Sequence, residues 1–548
     1  MMHGKADELR RRDFLRTAVA AVAAGAVAPS ELLAMEPDSR ARAELASALA
    51  QEAQDAPPPV PLGNGEHPAL VFQAYPGGTG SLYKRWHSEG LDPFQRHPIR
   101  IEPWVGPVPG DPEDIAFLPV HRLAALMRGG HISSVELTEI YLERTKRYDP
   151  SLMFAVTILE DRAMEEARQA DIDLANGVYH GPLHGIPYGV KDLFTVEGTR
   201  TTWGSAEYAD QVIDQDADVV LRLRDAGAVL IAKLATGEFA SGDRWYRGQT
   251  RNPWNPEEGS SGSSAGPGSA TAAGAVAFAI GTETQGSIVS PARRNGLSAL
   301  RPTFGSVSRY GGMVLSWSMD KAGPMCRTIL DCALVFEAIR GASERDPASL
   351  TAPFRFDADA ELTAFRIGHD EEAPEEFLEQ LSDMGARLEP MAGMPEGGSN
   401  ALGVESSSAF DFHVSPDGEE PEPVPEGLEP REARRRGRFR RGRDTRALDY
   451  VQSQRRRLLL MKEMRDAMAG FDMFVSGRGH VGLTNQTGHP AVIVQYGFGV
   501  RNPDDDSPTT MPLTTTLLGD LFGDDKILSV AHAFQKRSDW HLKRPQLA

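Results

Sequence analysis

The sequence predicts a protein of the α/β class, on the evidence of three features. Apolar residues make up 40% and charged residues 25% of the 548-residue chain, an ordinary balance for a chain that folds around a core. From Phe117 onward, helix signals and strand signals alternate. Residues 216–226 have helical spacing and end at Gly227, and the apolar run 229–232 that follows is typical of a buried strand. Alternation of this kind favours helices layered on a sheet.

The N-terminal segment predicts an export signal. Residues 10–16 read RRRDFLR, and an apolar run of small residues follows at 17–27. A bilayer-spanning helix needs about 20 residues, so this run is too short to be one. Paired arginines, Arg11 and Arg12, before such a run are typical of a twin-arginine signal. We therefore expect residues 1–34 to be a signal peptide and the mature protein to be periplasmic or secreted; a cytoplasmic helix with two chance arginines is the alternative.

The next segments divide the chain further. Residues 51–66 are a proline-rich linker, and the scattered aromatic residues of 67–114 predict an extended wrap, so we assign 35–114 to linker and wrap. Residues 115–540 form the main domain, where Ser133 and Glu136 have the spacing of a capping box that begins a helix. Within it, a charged insertion covers about 415–445, with six acids in 417–429 and eight arginines in 431–443. Adjacent blocks of opposite sign favour mutual pairing over nucleic-acid binding.

Charge and cysteine content exclude several classes of protein. The chain has 58 Lys and Arg against 77 Asp and Glu, a net charge of −19, which argues against general binding to nucleic acids or anionic membranes. Two cysteines, Cys326 and Cys332, are too few for a disulfide scaffold or an all-cysteine metal cluster. We expect both on one helix, where six residues of rise, about 9 Å, separate them too far for a disulfide. No later apolar run is long enough to span a membrane.

A glycine- and serine-rich region is the strongest chemical signal. Nine of the eleven residues of 259–269 are Gly or Ser, and 281–287 read GTETQGS. A phosphate-binding loop would need a lysine directly after the glycines or the G-x-G-x-x-G register, and neither is present. A flexible linker is the second alternative. Because the run leads into the apolar stretch 270–280, we favour closely packed backbone that directs several N–H groups at one point, as an oxyanion hole requires.

These segments resemble the amidase signature family. The resemblance rests on HGPLHGIPYGVKDLF (180–194), the Gly/Ser run, the stretch 281–312 and SMDKAGPM (318–325). It is strongest over about 181–327, with a weaker match from about 115 to 540. The resemblance implies a single large α/β/α domain around a twisted mixed β-sheet.

The resemblance also implies a Ser–Ser–Lys triad. The family's lysine corresponds to Lys191 and its nucleophile to Ser287. Its bridging serine, which follows a cis peptide bond, lies 24 residues earlier, at Ser263; Ser260, Ser261 and Ser264 are therefore rejected. In the implied mechanism neutral Lys191 takes a proton from Ser263, which takes one from Ser287, and Ser287 attacks the carbonyl. The family's oxyanion hole corresponds to the backbone N–H groups of Thr284, Gln285, Gly286 and Ser287.

Two residues depart from the usual pattern. Gln285 replaces a glycine, and Val289 stands where an arginine often follows the nucleophile. A backbone donor survives the first change, but the size, shape and charge of the pocket need not. Family averages are therefore a poor guide to the substrate.

The remaining candidate residues are expected to have supporting roles and not to take part in the chemistry. Asp192 is expected to support the backbone or neighbouring side chains, and His184 and His489 are expected to be structural or pocket-lining. No H-E-x-x-H motif or close ligand cluster occurs among the 14 histidines, so we expect no metal and no cofactor.

We expect an exported amidase that cleaves a small carboxylic amide through an acyl-enzyme on Ser287, with no nucleic-acid partner; whether it forms a homodimer is open. The alternatives are a carbamate or ester hydrolase on the same triad, the amidotransferase A-type subunit that supplies ammonia for tRNA-linked transamidation, and a non-catalytic binding scaffold. An export signal argues against the amidotransferase, because its tRNA and partner subunits are cytoplasmic.

Overall fold

The computed structural model describes residues 72–391, 393–396, 398–399, 401–415, 437, 439, 442–477, 480–501 and 509–547. The predicted signal peptide, the linker 51–66 and most of the charged insertion lie outside the described residues. The chain divides into a large unit, 63–402 with 454–548, and a small unit that includes 403–453. In the small unit, the rings of Phe410 and Phe439 stack with their centroids 4.2 Å apart.

Fifteen α-helices and fifteen strands lie in the described residues. The helices are α1 (Gly78–Ser88), α2 (Pro112–Ala116), α3 (Val120–Arg128), α4 (Ser134–Leu152), α5 (Glu160–Ala175), α6 (Asp218–Asp225), α7 (Ala265–Ala272), α8 (Val289–Asn295), α9 (Ile329–Ile339), α10 (Glu375–Asp383), α11 (Ala401–Ala409), α12 (Asp411–Val414), α13 (Ala447–Ala467), α14 (Val481–Thr487) and α15 (Asp524–Gln535). The strands are β1 (Ala155–Ile158), β2 (Pro187–Lys191), β3 (Val229–Leu234), β4 (Arg244–Trp245), β5 (Gly248–Gln249), β6 (Arg251–Asn252), β7 (Asn255–Gly259), β8 (Phe278–Glu283), β9 (Ser298–Arg301), β10 (Lys321–Cys326), β11 (Arg366–His369), β12 (Arg387–Pro390), β13 (Met473–Ser476), β14 (Ala491–Arg501) and β15 (Thr509–Gly519).

Eleven of these strands form one mixed sheet in the large unit. Its order is β1-β3-β2-β8-β10-β9-β14-β15-β13-β11-β12. Strands β3, β2 and β8 run parallel, as do β13, β11 and β12, and the neighbours between and beside these groups are antiparallel. Because parallel strands end at the same edge of a sheet, the C-terminal ends of β2 and β8 lie side by side there.

Helices cover both faces of the sheet. Side chains alternate along β14, so Val492 and Val494 belong to one hydrophobic cluster, which includes Leu528 of α15. Their neighbours Ala491 and Ile493 belong to another, which includes residues of α8. A sheet apolar on both faces needs cover on both. The predicted single α/β domain around a large mixed sheet is therefore confirmed.

Local sequence signals locate several elements correctly. Helix α4 begins with the predicted capping box, in which the Ser133 and Glu136 side chains each accept from the other's backbone N–H, at 3.1 and 2.9 Å. Helix α6 ends just before Gly227, whose φ of 73° suits glycine. Strand β3 follows as predicted and continues to Leu234.

The prediction that both cysteines lie on one helix is wrong. Cys326 is the last residue of β10, where it pairs with Ser298 of β9, and Cys332 lies in α9. The chain changes direction between them because the Thr328 side chain accepts from the Asp331 N–H at 3.2 Å and so begins a new helix. Both thiols are free and buried.

The predicted extended wrap contains a helix in its described part. Leu82 and Trp86, four residues apart on one face of α1, are buried in a cluster with Phe304 and Phe522. The ring of Trp86 meets that of Phe522 edge-on at 5.4 Å. This helix is therefore packed against the large unit's own core.

No helix in the part of the chain that the structure describes has the length and apolar character needed to cross a membrane.

We expect Trp86→Ala to lower the free energy of unfolding by about 3–5 kcal/mol, because it leaves a cavity among buried aromatic rings. Chemical denaturation monitored by circular dichroism measures the change. Phe94→Ala is the matched control, since the Phe94 side chain is 70% exposed and its loss is expected to cost less than about 0.5 kcal/mol. Equal effects of the two substitutions would contradict the packing of α1.

Candidate active site

A buried lysine lies at the edge where β2 and β8 end. Lys191, the last residue of β2, is completely buried. Its Nζ is 2.8 Å from Ser263 Oγ, 2.8 Å from Thr282 Oγ1 and 3.1 Å from Ser264 Oγ. The parallel pairing of Val190 with Ile280 brings the end of β8 beside this amine. Three hydroxyl groups therefore surround Nζ.

The two serines beside the amine are bonded differently. Ser264 Oγ donates to the Thr282 carbonyl at 3.0 Å and accepts from the Thr282 N–H at 3.2 Å. Its proton is therefore already committed to the backbone. Among the described residues, Ser263 Oγ has Lys191 as its hydrogen-bond partner, and the Gly262–Ser263 peptide bond is cis.

Electrostatics distinguish Lys191 from a second buried lysine. Lys233 in β3 forms an ion pair with Asp192, with Nζ 2.8 Å from Oδ1. Lys191 has no ion pair within the described part of the chain. Burial lowers the pKa of Lys191 well below the usual lysine value, and the weaker influence of Asp320 and Glu283 opposes this only in part. The Lys191 amine is therefore biased toward its neutral form.

The loop after β8 lies against the same serines. The Ser264 N–H donates to the Ser287 carbonyl at 3.2 Å, and Ser287 is partly exposed. Gly286 has a φ of 95°, which glycine adopts readily, and its carbonyl accepts from the Ser290 N–H at 2.8 Å. No hydrogen bond within the described residues involves the Ser287 hydroxyl or the backbone N–H groups of Gln285, Gly286 and Ser287. Those groups are free to meet a ligand.

Glu283 holds this loop in place. Its buried carboxylate accepts from the backbone N–H groups of Ile288 and Val289 at 2.8 and 2.9 Å, which closes the loop 284–287. Arg301 and Asn485 donate to its other oxygen at 3.0 and 2.7 Å. Burial alone would raise the pKa of Glu283, but these partners outweigh burial and hold the pKa at about 2. The carboxylate is therefore charged and fully bonded.

A pocket of about 30 Å³ opens beside Thr282 and Thr284. Its charged groups all have partners: Arg309 meets Asp346 through two nitrogens at 2.8 and 2.9 Å, and Lys321 donates to the Met319 carbonyl. Asp320 accepts from Thr284 Oγ1 at 2.5 Å and from the N–H groups of residues 315 and 316 at 2.8 and 3.0 Å. The rest of the lining is largely apolar or aromatic, including Leu193, Phe194, Met313, Val314, Leu315 and Trp317.

The other candidates from the sequence lie around the site in bonded positions. Asp192 is buried and accepts from the Thr202 N–H at 2.9 Å, besides its pairing with Lys233. His184 is buried beside the Ala170 carbonyl, with Nε2 at 2.9 Å. Burial lowers the pKa of His489 to about 3, so its ring is neutral. No group of three or more His, Cys, Asp or Glu side chains suited to a metal occurs among the described residues.

The structure thus brings Lys191, Ser263 and Ser287 into one site, with Ser287 linked through the backbone of Ser264. Sequence reasoning missed Thr282 and Glu283. Both lie in GTETQGS, but only the structure reveals that Thr282 contacts the amine and that Glu283 is bonded to two distant elements.

Fold and site together define an α/β enzyme with its candidate chemistry at one edge of the sheet. The family model described as Amidase matches residues 136–477. The chain belongs to this family, the amidase signature enzymes that act on C–N bonds.

Similar proteins include two kinds of relative. The chain is 31% identical over 487 residues to the A-type subunit of the glutamyl-tRNA(Gln) amidotransferase of Methylococcus capsulatus, with 77% of this chain and 98% of the relative covered. Among solved structures, the native peptide amidase of Stenotrophomonas maltophilia is 28% identical with a TM-score of 0.64, covering 78% and 98%. An amidase family protein from Bacillus anthracis is 26% identical with a TM-score of 0.68, covering 80% and 94%.

We expect the buried carboxylate of Glu283 to make stability depend on pH. Its pKa falls from 4.5 to about 2 on folding, so its ionisation contributes about 3 kcal/mol above pH 4.5 and progressively less as the pH falls toward 2. Glu283→Gln should therefore be less stable than the wild-type protein at pH 7, with a difference at pH 3 less than half as large.

Urea unfolding at the two pH values measures this difference. Glu389→Gln is the control, since Glu389 is an exposed partner of Arg366 and its loss should have little effect at either pH. A Glu283 difference that does not shrink on acidification would contradict the ionised state.

Proposed function

We propose that this protein cleaves a carboxylic amide through an acyl-enzyme on Ser287, with Ser263 and Lys191 as the proton relay. The observation that carries the proposal is the buried, ion-pair-free amine of Lys191 at 2.8 Å from Ser263 Oγ. A serine hydroxyl is a weak nucleophile without a base nearby. A lysine whose pKa is lowered by burial is such a base.

The relay transfers protons from Ser287 toward Lys191 as the acyl-enzyme forms and back toward the leaving nitrogen afterwards. Lys191 Nζ accepts the proton of Ser263 as Ser263 Oγ accepts that of Ser287, while Ser287 Oγ bonds to the carbonyl carbon. The proton then returns through Ser263 to the amide nitrogen, the C–N bond breaks, and a neutral amine leaves. Water attacks the acyl-enzyme by the same route, which restores Ser287. Ser264 takes no part in the transfer, because its proton is bonded to the Thr282 carbonyl.

The backbone after β8 supplies the oxyanion hole. The N–H groups of Gln285, Gly286 and Ser287 are unpaired within the described residues and belong to the loop 284–287, which the Glu283 carboxylate closes. Preorganised donors of this kind stabilise a developing oxyanion, and losing one typically costs about 10²–10³ in rate. Thr284, predicted as a fourth member, has its side chain bound to Asp320.

The adjoining pocket bears on the substrate. Its charged groups are already hydrogen-bonded within the protein and most of its lining is apolar or aromatic, which suits an uncharged, apolar part of a substrate. A carbamate or ester with an apolar part would contact the same pocket residues. The group that leaves the carbonyl carbon, and not this pocket, therefore decides which of these substrates is cleaved.

A second candidate function is that of the A-type subunit in a glutamyl-tRNA(Gln) amidotransferase. The similarity to curated relatives across 98% of their length favours it more directly than a free-standing hydrolase. Both candidate functions use the same cleavage of an amide at Ser287. They differ in where the released ammonia goes, which is to solution in a hydrolase and to a partner subunit in an amidotransferase. Export by the N-terminal arginine pair, which we propose from the sequence alone, would separate the chain from such partners.

We expect Ser287→Ala, Ser263→Ala and Lys191→Met each to lower kcat by at least about 10³-fold, because each interrupts the relay. Hydrolysis would be measured on a panel of aromatic and aliphatic amides, anilides, peptide amides, carbamates, esters and glutamine. The matched control is Ser264→Ala, which removes a hydroxyl at 3.1 Å from the same amine and should cost less than about 30-fold. Comparable losses at Ser263 and Ser264 would contradict the assigned relay.

We expect Arg11→Lys with Arg12→Lys to trap the protein in the cytoplasm, because the twin-arginine pathway requires the arginine pair. Fractionation of the native host, with and without these substitutions, measures the location. A cytoplasmic wild-type protein that copurifies with the other components of an amidotransferase and releases ammonia from glutamine would support the second candidate and reject export.

A further inference from the structure

A second depression lies next to the candidate site. It is a cleft of about 700 Å³ with a part apolar and part polar lining, made of Gly499, Val500, Met511, Pro512 and Leu513 together with Ser261, Ser290, Arg293, Arg294, Tyr496 and Thr514. Ser261 directly precedes the Gly262–Ser263 peptide, and the Ser290 N–H bonds to the Gly286 carbonyl at 2.8 Å. The cleft therefore reaches both segments that carry the proposed catalytic serines. Its volume falls within the range of about 300–1,000 Å³ that small-molecule sites occupy.

Arg293 is the unusual residue of this cleft. Nearby arginines are paired with carboxylates: Arg294 with Glu258, Arg301 with Glu283, and Arg309 with Asp346. Within the part of the chain that the structure describes, the guanidinium of Arg293 has no hydrogen-bond or ion-pair partner. Burial lowers its pKa, and only Tyr496 acts in the opposite direction. An arginine stays charged under these conditions, so a partly buried cation lines the cleft with no anionic partner among the described residues.

We propose that Arg293 binds a carboxylate group of the amide substrate. The planar guanidinium matches a carboxylate with two parallel hydrogen bonds, and the described lining of the cleft adds serine, threonine and tyrosine hydroxyls as donors and contains no acidic residue. The inference rests on the proposed function, because it assigns the carboxylate to the molecule cleaved at Ser287.

The carboxylate has two chemical sources. It belongs to the acyl part, as in a dicarboxylic acid monoamide such as glutamine, or to the leaving amine, as in an N-acyl amino acid. Both present the same anion to Arg293. In the first, the attacked carbonyl lies between the carboxylate and the scissile C–N bond; in the second, the scissile bond lies between the carboxylate and the carbonyl. Two substrate pairs distinguish the sources.

The test compares each carboxylate with a neutral substrate of the same shape. For the acyl side the pair is 4-carbamoylbutanoate and 5-methylhexanamide; for the amine side it is N-benzoylglycine and N-isobutylbenzamide. In the wild-type protein one carboxylate member should exceed its neutral counterpart in kcat/KM. Arg293→Gln should lower kcat/KM for that member by about 10–100-fold, the value of a charged hydrogen bond, and for its neutral counterpart by less than about threefold.

Two further variants control for charge and shape. Arg293→Lys keeps the charge without the planar fork and should recover part of the lost discrimination. Arg294→Gln removes one positive charge from a guanidinium that lines the same cleft but is already paired with Glu258, and should leave the ratio within each substrate pair unchanged to about threefold. Equal loss on charged and neutral substrates in Arg293→Gln, or no loss on either, would overturn the inference.

Binding to the Ser287→Ala variant separates this inference from the proposed function. Calorimetry would measure N-benzoylglycine and 4-carbamoylbutanoate in that background, with and without Arg293→Gln. Binding that depends on Arg293, without turnover of any amide by the wild-type protein, would sustain the carboxylate subsite and reject the proposed function. Hydrolysis of neutral amides, with no Arg293-dependent binding or turnover of either carboxylate, would support the proposed function and reject the carboxylate subsite.

Discussion

The site depends on keeping the amine of Lys191 buried without a carboxylate partner. Two buried lysines in neighbouring strands illustrate the constraint. Lys233 is compensated by Asp192 at 2.8 Å, whereas Lys191 meets hydroxyl groups and a backbone carbonyl. Removing a charge from water costs several kcal/mol unless it is paired, so Lys191 is stabilised by losing its proton. A carboxylate placed next to Lys191 would restore the charge and remove the base.

Near that amine, the hydrogen bonds of Glu283 fix the position of the loop 284–287. Glu283 ends β8 and is bonded to Arg301 at the end of β9 and to Asn485 in α14. The same carboxylate bonds the first N–H groups after Ser287, so the loop 284–287 is fixed from both sides. Donors that are fixed in advance need no reorganisation when charge develops on a substrate oxygen. Hydrogen bonds of one buried carboxylate to distant side chains therefore set the geometry of a four-residue loop.

Local signals in the sequence predicted the elements that local physics determines. The capping box at Ser133 and the glycine after α6 are complete within a few residues, and the helices begin and end there. The sequence predicts one helix for Cys326 and Cys332, but pairing of β10 with β8 and β9 places Cys326 in a strand. The contacts of Glu283 span 18 and 202 residues, and the lack of a partner for Arg293 within the described residues is a property of its three-dimensional surroundings. Neither the contacts of Glu283 nor the surroundings of Arg293 can be predicted from a local sequence pattern. The motifs therefore predicted the reacting residues, but not the residues that position them or the residue proposed to bind the substrate.

The distribution of charge around Ser287 bears on specificity. On one side, the charged groups of the pocket are bonded within the protein, Arg309 to Asp346 and the others to hydroxyl or backbone groups. On the other, Arg293 keeps its charge in a cleft lined by hydroxyl groups and apolar side chains. Partial burial removes some of the hydration of Arg293, and no anion among the described residues replaces that hydration. An anionic group of the substrate would replace it, so the proposed subsite favours an amide with an anionic end over a uniformly apolar amide. The departure at Val289, where an arginine is usual, is consistent with this division, because it removes a cation beside the nucleophile while Arg293, one helical turn further along, retains one.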